Sequence, residues 1–186
     1  MTKSDIYFFD SRIPDEADEL GFCLRDFIQL STKKQQPLIF LCIGTDRSTG
    51  DSLGPLIGYK LSKLFFKHEN FFVYGTLEHP VHALNLAAVL SQIYHVHEKP
   101  FIIAIDAALG ASDSIGFVTL SRMPLSPGLG VKKSLPKVGD LSITGIVNVS
   151  GSLSPAILET TRLFVVMELA DTIVRGIRTF LFCQCI

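Results

Sequence analysis

The chain has 186 residues, 47% hydrophobic and 19% charged, with 17 basic against 18 acidic side chains and a net charge of −1. This composition belongs to a folded chain with one sizeable core and excludes a disordered one. The balanced charge gives no basic footprint for nucleic acid or an anionic membrane, and a mean hydropathy of +0.36 leaves room for a homo-oligomer interface beside a filled core.

In chain order, Met1 to Asp10 carries Lys3 and Asp5 but no apolar run long enough for a signal peptide. Residues 12–31 predict a helix, because Ala17, Leu20, Cys23, Leu24, Phe27 and Ile28 recur three and four apart. Gln35-Gln36-Pro37 ends it. Residues 38–43 form a continuous apolar run, as expected of a strand buried on both faces. Pro55 suits the first turn of a helix continuing over 56–66. Residues 71–74 predict a second strand, GTLEHP a turn, and 81–95 a helix with Leu84, Ala87, Ala88 and Ile93 on one face.

Residues 101–105 predict a third strand that ends at Asp106, and 117–120 a fourth. The long loop MPLSPGLGVKKSLPKVGD follows, then a fifth strand over 141–149 and a final helix over 155–182. That helix contains Glu168, Asp171, Arg175 and Arg178, too many charges for a membrane span. The expected location is the cytoplasm. Strands alternating with helices predict one α/β domain over residues 1–186: three α/β/α layers around a mostly parallel, twisted sheet of about five strands. Right-handed crossovers then bring the strand C-termini to one edge, where ligands bind in such sheets.

Two carboxylates fall at that edge. Asp106 is the first polar residue after FIIAI, and partial desolvation there raises a carboxylate pKa. Asp51 precedes the helix opened by Pro55, and a helix N-terminus is expected to lower its pKa. Contrasting environments of this kind supply an acid and a base near neutral pH. The plain alternatives are a helix cap for Asp51 and a turn brace for Asp106.

The loop leading into Asp51 offers Gly44, Thr45 and Gly50 amides as an anion nest, with Arg47 either clamping a substrate carbonyl or carboxylate or standing as a solvated charge. It has no Lys-Ser or Lys-Thr of a P-loop and no Gly-x-Gly-x-x-Gly fingerprint. His79 and His82 make a weak His-x-x-His signal for a metal, and no histidine follows His97. A Ser–His–Asp set of the α/β-hydrolase kind would need a histidine late in the chain, and none follows His97, so serine hydrolase chemistry is not expected. Cys42 reads as a core residue, and the terminal Cys183-x-Cys185 pair lacks the partners of a closed zinc site. The loop over 123–140, with Gly130, Lys132, Lys133 and Lys137, is long enough to act as a lid or to be a surface insertion.

Four ordered blocks, CIGTDRSTGDSLGPLIG, YGTLEHPVHALNL, AIDAALG and PGLGVKKSLPKVGDLSITGIVNVSG, together resemble the YyaC family of sporulation proteins of spore-forming Firmicutes. That family is similar to the germination protease that degrades small acid-soluble spore proteins, and more distantly to the hydrogenase maturation endopeptidases with their HybD-like fold. The resemblance covers about residues 38–165. It implies a three-layer α/β/α fold of the phosphorylase/hydrolase kind and a two-aspartate peptidase site, with Asp51 of DSLGP and Asp106 of AIDA as the catalytic pair. PGLGVKK matches the glycine-rich segment, which assigns Gly130 and Lys132, with Gly44, Thr45 and Arg47, to the substrate.

The hydrogenase enzymes add a late histidine around nickel carried by their substrate, and this sequence has none there. The expectation is therefore a sporulation-associated, aspartate-dependent endopeptidase of the forespore or mother-cell cytoplasm. It takes a protein or peptide substrate, with no cofactor and no metal ligands assigned. The alternatives are a non-catalytic binding module on the same fold and a metal-assisted hydrolase using His79 or His82.

Overall fold

The structure, a computed structural model, describes residues 6–31, 36–64, 70–127, 136–151 and 154–184. In order these give β1 (Ile6–Asp10), α1 (Glu16–Ser31), β2 (Leu38–Cys42), a 3-10 turn (Gly50–Ser52) leading into α2 (Leu53–Leu64), β3 (Phe71–Tyr74) and α3 (Leu86–Val96). β4 (Phe101–Gly110), β5 (Phe117–Ser121), β6 (Leu141–Val149), α4 (Ser154–Glu159) and α5 (Leu163–Gln184) complete the chain.

Among the described residues the sheet has six strands in the order β1-β5-β6-β4-β2-β3. β3, β2, β4 and β6 run parallel, while β5 lies antiparallel to both β6 and β1. β4 at the centre reads as a β-branched apolar run because both of its faces are covered. On one face Phe40, Ile103 and Ile143 meet α1, α2 and α5 through Leu24, Ile57 and Ile173. On the other, Ile39, Leu41, Ile102 and Ala104 meet Leu86 and Ile93 around α3, with Val81, Leu125 and Val138. Each such fully buried side chain contributes about 1.5–3 kcal/mol.

The architecture is the expected α/β sheet with helices on both faces, with four local corrections. β1 was not expected; it is an edge strand in which Phe9 is buried and Phe8 exposed, and its single partner comes from far along the chain. The helix expected over 81–95 starts only at Leu86, because Asn85 ties the preceding turn: its Oδ1 accepts the His82 N–H at 2.8 Å and its Nδ2 donates to the Pro80 carbonyl at 2.9 Å. The final helix over 155–182 is two helices, broken where the Thr160 and Thr161 hydroxyls donate back to the Ala156 and Ile157 carbonyls, each at 2.9 Å. β4 does not end before Asp106 but runs on to Gly110, because β6 pairs with it as far as that residue.

Cys42 is wholly buried, and burial pushes its thiol far up, as befits a core residue. Cys185 lies outside the described residues. No described helix is long and apolar enough to cross a membrane.

Candidate active site

The site forms where β2 stops and β4 does not. The last bond of their ladder is from the Ile43 N–H to the Ile105 carbonyl, at 2.7 Å. The chain then swings away through Gly44, whose φ of +138° suits glycine, and the Gly44 N–H donates instead to the Val81 carbonyl at 2.8 Å.

The glycines of DSLGPLIG explain how α2 is seated. A Cβ on Gly54 would fall on the Ile43 carbonyl, and one on Gly58 on the Gly75 carbonyl. These residues are one helical turn apart, so α2 lays its bare backbone on the ends of β2 and β3. That close approach fixes the 3-10 turn and Asp51 at the mouth of the gap, and the Thr45 N–H closes the loop on the Asp51 main-chain carbonyl at 3.0 Å.

Asp106 reaches the same gap from the floor. Along β4 the side chains alternate: Ile103 and Ile105 join the core under α1, α2 and α5, and Ile102 and Ala104 join the opposite core. Alternation therefore sends the Asp106 side chain to the face of α3 and Leu125, whereas Asp51 comes from the layer of α2. The two carboxylates line one cavity of about 400 Å³ from opposite faces of the sheet.

Their environments differ. Asp106 is buried, and desolvation holds its carboxyl well above the usual range; the charge of Asp51 adds to this, and a 2.8 Å bond from the Ala107 N–H to Oδ1 opposes it. Half-buried Asp51 is also raised, first by burial, against the pull of a Thr45 N–H and of His82. The lowered value expected from the helix N-terminus is therefore corrected. Asp51 lines the cavity beside the Thr45 amide, and desolvation outweighs the dipole.

Gly44, Thr45 and Arg47 line this cavity with the two aspartates. Arg47 is exposed and its N–H donates to the Thr45 Oγ1 at 3.3 Å. Gly130 and Lys132 lie outside the described residues; the base of their loop is pinned by reciprocal 2.8 Å bonds between Leu125 and Val138. His79 is exposed and away from the cavity, with its N–H donating to the Thr76 Oγ1.

His82 does line the cavity. Its Nδ1 accepts the Leu84 N–H at 3.3 Å. Sequence reading weighed His82 only as a metal ligand; Ser48 also lines the cavity, with its Oγ buried and without a hydrogen-bond partner among the described residues. It also missed the wall made by Pro155, Leu158 and Glu159 of α4, because nothing local in SPAILETT marks a separate helix. Among the described residues no three His, Cys, Asp or Glu side chains gather as a metal-binding group.

Comparison with known proteins places this geometry among relatives. Residues 15–176 match the family described as "Protein of unknown function (DUF1256)". The chain is 50% identical over 142 residues to "Uncharacterized protein YyaC" of Bacillus subtilis (strain 168), an overlap of 76% of this chain and 68% of that protein. Its fold is similar to that of a [NiFe] hydrogenase maturation protease, HycI, from Thermococcus kodakarensis KOD1. The TM-score is 0.54 at 16% identity, over 84% of this chain and 99% of the protease.

Proposed function

The chain belongs to the DUF1256 family together with YyaC, and from that premise we propose that it is a sporulation-associated endopeptidase whose catalytic pair is Asp51 and Asp106. One observation carries this reading: two carboxylates enter one cavity from opposite faces of a protease-like sheet, and both have raised proton affinity.

The division of roles follows from burial. Asp106, the more strongly raised, keeps the proton, and with Oδ1 engaged by the Ala107 N–H that proton sits on Oδ2. Asp51 is the base. Asp51 takes a proton from water as the oxygen attacks the peptide carbonyl, while Asp106 donates its proton to the carbonyl oxygen. The gem-diol then collapses, Asp106 recovers a proton from a hydroxyl, and Asp51 passes its proton to the leaving amine. The two groups titrate as a pair.

The metal-assisted alternative would draw on His79 or His82, and among the described residues no three His, Cys, Asp or Glu side chains gather around either. The test is cleavage of purified small acid-soluble spore proteins by wild type, Asp51→Asn and Asp106→Asn, from mild acid to neutral pH, with and without chelator. The expected result is cleavage lost in both variants and indifferent to chelator. Cleavage lost to chelator alone would move the assignment to the metal-assisted reaction, and no cleavage by wild type would favour a binding module.

A further inference from the structure

β4 outlasts its neighbour, and the excess has a direction. The Ile102 carbonyl accepts from the Asp140 N–H on the β6 side, and the Gly110 carbonyl accepts from Ser150 on that same side. The Phe101 N–H and the Ile105 carbonyl face β2. By alternation the main-chain groups of Ala107 also face the β2 side. So do those of Leu109, since the register shift after Ala108 leaves Gly110 directed to β6.

β2 has already turned away at Gly44. The Ala107 N–H is taken by Asp106 Oδ1. Among the described residues nothing pairs with the Ala107 carbonyl, the Leu109 N–H or the Leu109 carbonyl. An inner strand thus presents a short free edge, starting at a catalytic candidate.

The walls beside that edge offer apolar residues on both faces of the sheet, next to Glu159 on the α4 side and His82 on the α3 side. Pro155 and Leu158 stand on the α4 side, and Pro127 and Leu84 on the α3 side. Leu84 is 91% exposed. A strand lying in the gap would send alternate side chains to these two walls.

We propose, resting on the peptidase reading, that the substrate binds as an extended polypeptide segment added to β4 in the place β2 leaves. It accepts from the Leu109 N–H and donates to the Ala107 and Leu109 carbonyls, which lays its scissile peptide between Asp106 and Asp51. Strand addition draws affinity from main-chain bonds and selectivity from pockets for alternate side chains. The substrate class is therefore an unfolded or extended segment with apolar residues flanking the cut, and a folded helix is excluded.

The probe is a phage-displayed library of short linear peptides, selected on the Asp51→Asn protein so that bound peptides stay intact. Selected peptides are resynthesised with single backbone N-methyl groups. Strand addition predicts an affinity loss of about tenfold at every second residue and little between them. It also predicts that binding slows hydrogen exchange at the Leu109 amide. Leu109→Pro removes that free amide while sparing the β6 ladder, and is expected to weaken binding to a similar degree.

A flat N-methyl profile, an unchanged Leu109 amide or a library without binders overturns the proposal. Because the readout is binding, the two readings separate. Peptides that pair in alternation but are never cut by wild type would sink the peptidase and leave the strand site. Cutting without alternation would do the reverse.

Discussion

The floor and the mouth of the cleft hold the same chemical group on different footings. The floor is Asp106 on β4, laddered to β6 and packed between two cores. The mouth is Asp51 on a 3-10 turn, held by the glycine contacts of α2 and open to Thr45 and His82. Asp106 on its buried strand has the Ala107 amide alone to favour its charge and the Asp51 carboxylate against it, while Asp51 on its turn has both the Thr45 amide and His82 in its favour. The placement on the sheet, and not the residue type, separates acid from base.

That contrast breaks most completely when either carboxyl is replaced. Asp51→Asn and Asp106→Asn are expected to lower kcat by about 10²–10⁴-fold, measured by single-turnover cleavage. The next effect comes from the seat of the mouth. Gly54→Ala puts a methyl group on the Ile43 carbonyl and should cost about 3 kcal/mol, seen as a Tm lower by about 6–12 °C; an unchanged Tm would mean α2 is not seated as described.

Stability sharpens the comparison at the floor. The folded-state pKa of Asp106 is raised, so its contribution to stability is full below the unfolded pKa and is lost as pH rises through the folded one. Asp106→Asn should therefore gain Tm over wild type progressively from mild acid to neutral pH, by about 2–4 °C for each kcal/mol relieved. Asp51→Asn should gain less. A larger gain for Asp51→Asn would reverse the assignment of acid and base.

Smaller effects probe the mouth alone. Ser48→Ala should leave Tm unchanged or raise it by a few degrees, because its buried Oγ has no partner to lose among the described residues; a clear drop in Tm would show a partner after all. The pH–rate profile should be a bell with both limbs above the ordinary carboxylate range. His82→Gln should move its acidic limb to higher pH, since His82 pulls Asp51 down. Movement of the basic limb alone would show that His82 acts on Asp106 instead.

The central parallel strands were legible because burial on both faces leaves an unbroken apolar run, as in LIFLC and FIIAI. Asp106 was legible for the same reason, as the first carboxylate beyond FIIAI, and Asp51 from its place just ahead of the helix that Pro55 opens. What stayed hidden depends on distant partners. Nothing in IYFFD states that β5 will pair with it, and AALG reads as a turn until β6 lies beside it. His82 meets Asp51 only because Val81 bridges to Ile43 across the top of β2. The sign of the Asp51 shift was misjudged because helix polarity is local and readable, whereas the walls of a cavity are not.

The pairing of β1 with β5 also bears on how the chain is made. Asp10 and Ile6 must wait for Phe117 and Ser121. At ordinary synthesis rates that is roughly 6–20 s after the first strand leaves the ribosome. Through that interval β1 has α1 to pack on but no strand to pair with, and the parallel core around β2 and β3 has to stand by itself until the antiparallel flank closes. The last-made half of the sheet thus completes the first-made strand, a non-local closure of the kind that slows folding.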